Sequence, residues 1–229
     1  MGATTAFASA VRATGWVGVA CALALGAHAG TDSDAGAGTG TGPGAGPAAG
    51  TASPAVPPGD PLPTKLLAVT ELDLNGDGLM DRARLMQREP TGEVDFLLDL
   101  GGESGGFYPN LWASNIAWSG EMAGTLPSLD ITARGSLQVI SENASIGRYR
   151  WRKVLTLAWR DHELLLAGYT YESRDTLDLD APDEDCDINL LTGRGVVAGV
   201  EIRIPPRRMS LFQYVDAPAG GPDVDLCKP

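Results

Sequence analysis

The stretch Asp73-Leu74-Asn75-Gly76-Asp77-Gly78-Leu79-Met80-Asp81 places oxygen-bearing side chains at loop positions 1, 3, 5 and 9, with glycine at position 6. Calcium takes roughly six to eight hard oxygen ligands, and this spacing can wrap one short loop around one ion. Asp73, Asn75 and Asp77 are expected to donate side-chain oxygens and Leu79 its backbone carbonyl, with Asp81 adding a carboxylate directly or through water. Without a cation, carboxylates so close together repel one another. No nucleophile neighbours the loop, so the ion is expected to organise structure and to take no part in a reaction. An Asx-turn hairpin that binds nothing is the plainer alternative. Position 12 is Arg84, where the helix–loop–helix type of calcium site needs a bidentate glutamate, and this excludes that type.

A second chemical candidate is the loop Gly101-Gly102-Glu103-Ser104-Gly105-Gly106-Phe107-Tyr108. Gly102-x-Ser104-x-Gly106 has the spacing of a nucleophile elbow, and Ser104, Asp130 and His162 occur in hydrolase order. Such an elbow joins a strand to a helix in a parallel sheet, and no helical pattern follows Ser104. His162 also falls in an apparent hairpin turn between Asp161 and Glu163. A Gly-rich turn with Phe107 or Tyr108 buried would explain the loop without any activity.

The elements that must carry these loops read as strands. In Arg150–Arg160, Trp151, Leu155, Leu157 and Trp159 share one face, and Arg150, Arg152, Thr156 and Arg160 the other. Asp161-His162 turns the chain into Glu163–Tyr171, apolar enough for a central strand. Val196–Ile204 alternates until Pro205-Pro206 stop it. Lys65–Leu72, Asp81–Gln87, Val94–Leu100, Ser136–Ser141 and Leu211–Val215 are further strand candidates, and Asn110–Trp118 is the one place for a short helix. The fold class is all-β: antiparallel meanders forming a sandwich or a small propeller-like array. No internal repeat is visible, which argues against a multi-blade propeller.

Residues 1–29 read as a secretory signal, with Arg12 in the basic region, an apolar run from Trp16 to Ala27 and a small-x-small Ala27-His28-Ala29 cleavage site. The apolar run is too short to span a bilayer. Cys21 lies inside it, and Gly18 stands where a lipoprotein signal favours leucine, so lipidation is the less favoured outcome. In the span 30–63, 29 of 34 residues are Gly, Ala, Pro, Ser or Thr, a disordered linker with no core-forming side chains. The folded domain is expected over 64–229. The full chain carries a formal −12, and loss of Arg12 with the leader makes it −13. Nucleic-acid binding and attachment to an anionic membrane face both need basic surface, so neither is expected. Of the cysteines, Cys186 and Cys227 remain after processing, and an even count in an oxidising compartment reads as one disulfide. Its loop of about 40 residues would add ~4 kcal/mol in the chain-entropy model.

Leader, linker, Asp-x-Asn-x-Asp-Gly-x-x-Asp loop and β-domain with Ser104-Gly105-x-x-Tyr108 occur together here. Strands flank the calcium loop, which resembles those of FG-GAP and related extracellular β-proteins. The whole combination resembles the periplasmic immunity proteins that xanthomonad-type bacteria keep against their own lysozyme-like type IV secretion effectors. Those proteins are similar in turn to inhibitors of i-type lysozymes. Arg150–Arg160, Gly168-Tyr169-Thr170-Tyr171-Glu172 and Asn189-Leu190-Leu191-Thr192-Gly193 share the character of that group. The resemblance implies a non-enzymatic inhibitor whose Ser-Gly-x-x-Tyr loop enters the cleft of a lysozyme-like hydrolase. There Ser104 and Tyr108, on a loop loosened by Gly105, would hydrogen-bond the two catalytic carboxylates on which such cleavage depends. The chain departs from the family in lacking its Tyr-x-x-x-Thr-Lys-Gly signature, to which Thr192-Gly193-Arg194 is the nearest stretch.

An acidic surface suits a basic lysozyme, since opposite charge speeds encounter, although solubility alone also explains it. The acidic run from Asp175 to Asp187 admits three readings: steering of a basic enzyme, a second calcium site or a solvated loop. Tyr169, Tyr171 and Glu172 are candidates for the binding face, because exposed tyrosine supplies contact area at low entropic cost. A calcium-stabilised envelope binding or adhesion module without inhibitory activity is the alternative function.

Overall fold

A computed structural model describes residues 62–178, 180, 182–215 and 227. The leader expected over 1–29 with Cys21, and the expected linker as far as residue 61, lie outside the described residues. Eleven strands occur among the described residues. The first four, β1 (Lys65–Leu72), β2 (Asp81–Gln87), β3 (Glu93–Gly101) and β4 (Phe107–Trp118), form an antiparallel up-and-down sheet in that order. The second sheet continues with β5 (Ser128–Ile131), β6 (Leu137–Asn143), β7 (Tyr149–Arg160), β8 (Glu163–Asp175), β9 (Glu184–Asn189), β10 (Arg194–Val197) and β11 (Val200–Arg203), again paired consecutively. The two packed sheets make a sandwich that is not closed as a barrel.

Period-two patterning builds the layer between the sheets. Along β2, Ala83 and Leu85 are buried while Arg82, Arg84 and Met86 turn outward; β6 buries Leu137 and Val139 in the same way. Phe96 and Leu98 of β3 meet Leu155 and Leu157 of β7, Leu166 of β8 and Ile188 of β9 in one core. Each such side chain contributes about 1.5–3 kcal/mol on burial. Ser141 Oγ stitches the sheets by accepting from Trp118 N at 3.3 Å and donating to Trp118 O at 3.2 Å.

Three local expectations are corrected. Asn110–Trp118 is not a helix but most of strand β4. Between the Val94–Ala117 and Phe96–Ala113 pairs, one residue of β3, Asp95, faces three of β4, Ser114 to Ile116, and Asn115 has φ +53°. This bulge buries Ala113, Ile116 and Ala117, a helix-like spacing produced inside a strand. The bulge is held by buried Asp95, whose Oδ1 accepts from Asn115 N at 3.0 Å. Its Oδ2 accepts from Trp112 Nε1 at 2.8 Å and from buried Arg88 at 2.9 Å. Val196–Ile204 is not one strand; it folds back at Ala198-Gly199, both at positive φ, into the β10–β11 hairpin. Leu211–Val215 is not a strand but a short helix, α1. Ser210 Oγ accepts from Gln213 N at 3.2 Å while Gln213 Oε1 accepts from Ser210 N at 2.9 Å, a reciprocal capping box. Leu211 and Tyr214 of this helix are buried in the core.

Candidate functional site

In an up-and-down meander the β1–β2 and β3–β4 connections emerge at the same end of the sheet. The two loops marked out by the sequence are therefore neighbours. The β1–β2 loop is a succession of Asx turns: Asp73 Oδ1 and Oδ2 accept from Gly76 N at 2.8 Å and Gly78 N at 3.0 Å. Asn75 Oδ1 accepts from Asp77 N at 2.9 Å, and Asp77 Oδ1 from Leu79 N at 2.8 Å. Asn75 Nδ2 also donates to Asp77 Oδ2 at 2.8 Å. Asp73 and Asp77 are exposed and Asn75 is half-buried, while buried Leu74 anchors the loop to the core. The donors are all oxygens, which suits a hard cation. Among the described residues, no three Asp, Glu, His or Cys side chains converge as a metal-ligating group. The set expected of the loop adds Asn75 and the Leu79 carbonyl to Asp73, Asp77 and Asp81.

Asp81 behaves differently from its loop partners. Spacing puts it with the ligand oxygens, but the inward phase of β2 leaves it 0% exposed. Its Oδ2 accepts from Leu74 N at 2.9 Å and Asn75 N at 3.3 Å, and its Oδ1 from Gly101 N at 3.0 Å. One buried carboxylate thus spans both loops. Gly101 is fitted to that approach, since a Cβ there would lie 2.5 Å from Met80 O and 3.1 Å from Leu79 Cβ.

The β3–β4 turn projects from this base. Gly102 N donates to Gly106 O at 2.9 Å and Gly105 N to Gly102 O at 2.8 Å. Ser104 Oγ and Tyr108 OH are hydrogen-bonded to each other at 3.1 Å, and Tyr108 is 56% exposed. The tyrosine ring lies against Gly102, where a Cβ would come within 2.1 Å of Cε2. Phe107, next in the strand, sits 4.2 Å beneath the Arg82 guanidinium. Arg82 and Arg84 in turn share Asp99 Oδ2, at 3.2 and 2.8 Å. The turn therefore presents two adjacent hydroxyls on a base fixed by backbone, aromatic and ionic contacts.

The nucleophile-elbow geometry is not formed. Ser104 lies between two antiparallel strands, and among the described residues no hydrogen bond joins it to Asp130 or His162. Asp130 Oδ1 accepts from its neighbour Ile131 N, and His162 is exposed in the β7–β8 turn with φ +65°.

The proposed Tyr169, Tyr171 and Glu172 surface divides between the faces of β8. Tyr169 is 1% exposed in the core, so its place on a binding face is corrected. Tyr171, two residues on, is partly buried on the same side, and Glu172 alone is exposed on the other. Glu172 lines an open groove of about 450 Å³ on the second sheet with Arg150, Arg152 and Arg174. The acidic run is part loop and part strand, because Glu184–Asn189 is β9. Asp175, at the end of β8, is bound by the Arg148 guanidinium, with Nε donating at 2.7 Å. That bond, helped by Leu177 N and Asp178 N, holds the Asp175 carboxyl down at about 2, against the opposing effect of desolvation. Cys186 of β9 and Cys227 form a disulfide with Cα atoms 5.7 Å apart, pairing the two cysteines expected from their count.

Sequence reasoning found both loops but missed what joins them. The period-two phase that Asp81 shares with Ala83 and Leu85 was the one local signal for its burial, and the ligand-type spacing of the loop outweighed it. Nothing local marks Gly102 as the seat of the Tyr108 ring, which comes from the neighbouring strand. No helix among the described residues is long and apolar enough to cross a membrane. No protein-family model matches the chain, and no curated protein or solved structure matches it either.

Proposed function

We propose that this chain is a periplasmic inhibitor of a lysozyme-like peptidoglycan hydrolase, an immunity protein, and that the β3–β4 turn is the part that enters the enzyme's cleft. The observation that supports this is the exposed Ser104–Tyr108 hydroxyl pair, 3.1 Å apart on a turn of small residues. With its single proton turned outward in place of the mutual bond, each hydroxyl reaches an acceptor about 2.7 Å away. Together they bridge a gap of roughly the 5–9.5 Å that separates the two carboxyl groups of glycoside hydrolases. A turn already ordered before contact loses little entropy on binding. The acidic surface suits a basic partner, and export by the 1–29 leader would bring the domain to the periplasm.

The same reading gives the β1–β2 loop a structural calcium ion. Asp73, Asn75 and Asp77 would supply side-chain oxygens and Leu79 its carbonyl, and bound calcium would relieve the repulsion between the aspartates.

The test is stoichiometric inhibition of a purified lysozyme-like muramidase by the mature protein, compared with a Ser104→Ala/Tyr108→Phe variant. The variant should fold as the parent does and inhibit at least tenfold more weakly, since hydrogen bonds to charged groups contribute about 1.5–3 kcal/mol each. Equal inhibition by parent and variant would remove this turn from the interface. Recovery of a glycan or surface protein by the parent, with muramidase activity unaffected, would favour an envelope binding or adhesion module.

A further inference from the structure

We infer that Asp81 is the positioning residue of the Ser104–Tyr108 turn, an inference that rests on the inhibitor reading for its functional consequence but not for its structural one. A carboxylate that is 0% exposed must be satisfied internally, and among the described residues Asp81 achieves this with three backbone N–H donors and no side-chain cation. The donors are divided unequally. Two, from Leu74 and Asn75, converge on Oδ2; the third, from Gly101, meets Oδ1 alone. Gly101 is the last residue of β3, immediately before the turn that carries both hydroxyls. Its backbone is pressed against Met80 and Leu79 so closely that a Cβ would have to displace main chain. The tie is therefore a fixed distance between the β1–β2 loop and the root of the turn. From there the order passes to the tip through the Gly102–Gly106 and Gly102–Gly105 backbone bonds and the Tyr108 ring lying on Gly102. Bonds to an ionised carboxylate are about twice as strong as neutral ones, which suits a residue holding a small loop against thermal motion.

The unequal division permits a selective test. In Asp81→Asn the amide oxygen keeps the side with two donors, and the amide nitrogen then faces Gly101 N, donor against donor. The substitution cuts the tether to the turn and spares the β1–β2 loop. Amide hydrogen exchange of the full mature protein should show Gly101, Gly102 and Gly105 exchanging at least tenfold faster, while Leu74, Asn75 and the core of β3 keep their protection. A wild-type exchange rate in the turn would overturn the inference. So would a uniform loss of protection across β1–β3, which is what a merely structural residue would produce. If Asp81→Asn does not fold, Gly101→Ala decides by the same criteria, since it pushes the turn off Met80 with Asp81 intact. Inhibition of a lysozyme-like muramidase by the same variants separates the two proposals. Faster exchange in the turn together with weakened inhibition supports both. Faster exchange in a protein whose wild type inhibits no such enzyme leaves Asp81 as the positioning residue and overturns the inhibitor reading.

Discussion

Gly102→Ala should separate inhibition from folding. An added Cβ would sit 2.1 Å from Tyr108 Cε2, 3.0 Å from Cδ2 and 3.1 Å from Cζ. Carbon atoms rest about 3.5–4.0 Å apart, so the ring edge must retreat by about 1.5 Å. The obstacle is an exposed side chain and Gly102 needs no left-handed φ, so the backbone can stay where it is. The phenol hydroxyl cannot. It lies 3.1 Å from Ser104 Oγ, and a displacement of that size takes the pair beyond hydrogen-bonding distance. Loss of one exposed bond costs at most about 0.5–1.5 kcal/mol. Alanine restricts the unfolded chain and offsets this by about 0.4–1 kcal/mol. A residual of under 1 kcal/mol moves the melting temperature of a domain this size by less than about 4 °C. Under the proposed function the contact with the hydrolase should suffer far more, because displacing a tyrosine central to it costs about 2 kcal/mol or more, roughly thirtyfold in the inhibition constant. Thermal unfolding and muramidase titration on the same preparation measure both. Unchanged inhibition, or a melting temperature lowered by 10 °C or more, as a rough bound, would show that the Tyr108–Gly102 contact does not do what is argued.

Calcium should raise the melting temperature of the mature protein and a chelator lower it, and Asp73→Ala, which removes two Asx-turn acceptors and a ligand, should abolish the difference. Arg88→Ala leaves the buried Asp95 carboxylate at the β4 bulge with its Trp112 and Asn115 donors but without its cation and should cost about 3–5 kcal/mol in denaturant unfolding, whereas surface arginine replacements should stay near zero. Asp175 should titrate near 2 by carboxyl NMR and return to the ordinary carboxylate range in Arg148→Ala. Because its folded pKa is depressed, the stability it contributes is present above the ordinary value of 3.8 and is lost as pH falls through about 2.

Local patterning was enough to reveal the β-architecture. Alternation in Asp81–Gln87 and Arg150–Arg160 reports which side chains share a face, and two-residue turns such as Asp161-His162 report where the chain reverses. The Asp-x-Asn-x-Asp-Gly spacing marked its loop because Asx turns close over two to five residues. The Ser210-x-x-Gln213 capping box is equally local, but the strand reading of Leu211–Val215 passed over it, because the apolar run it opens has too few residues to show a helical period.

Tertiary structure decided whatever required a partner distant in sequence. The helix-like spacing of Ala113, Ile116 and Ala117 comes from a bulge that Asp95 pins from the neighbouring strand. Tyr169 could face either way until β8 was placed between β7 and β9, and the core took it. Asp81 reads as one more loop oxygen in the sequence. Burial against β3 makes it the carboxylate that ties the calcium-type loop to the root of the hydroxyl-bearing turn, because a charge removed from water takes whatever donors the fold brings within reach.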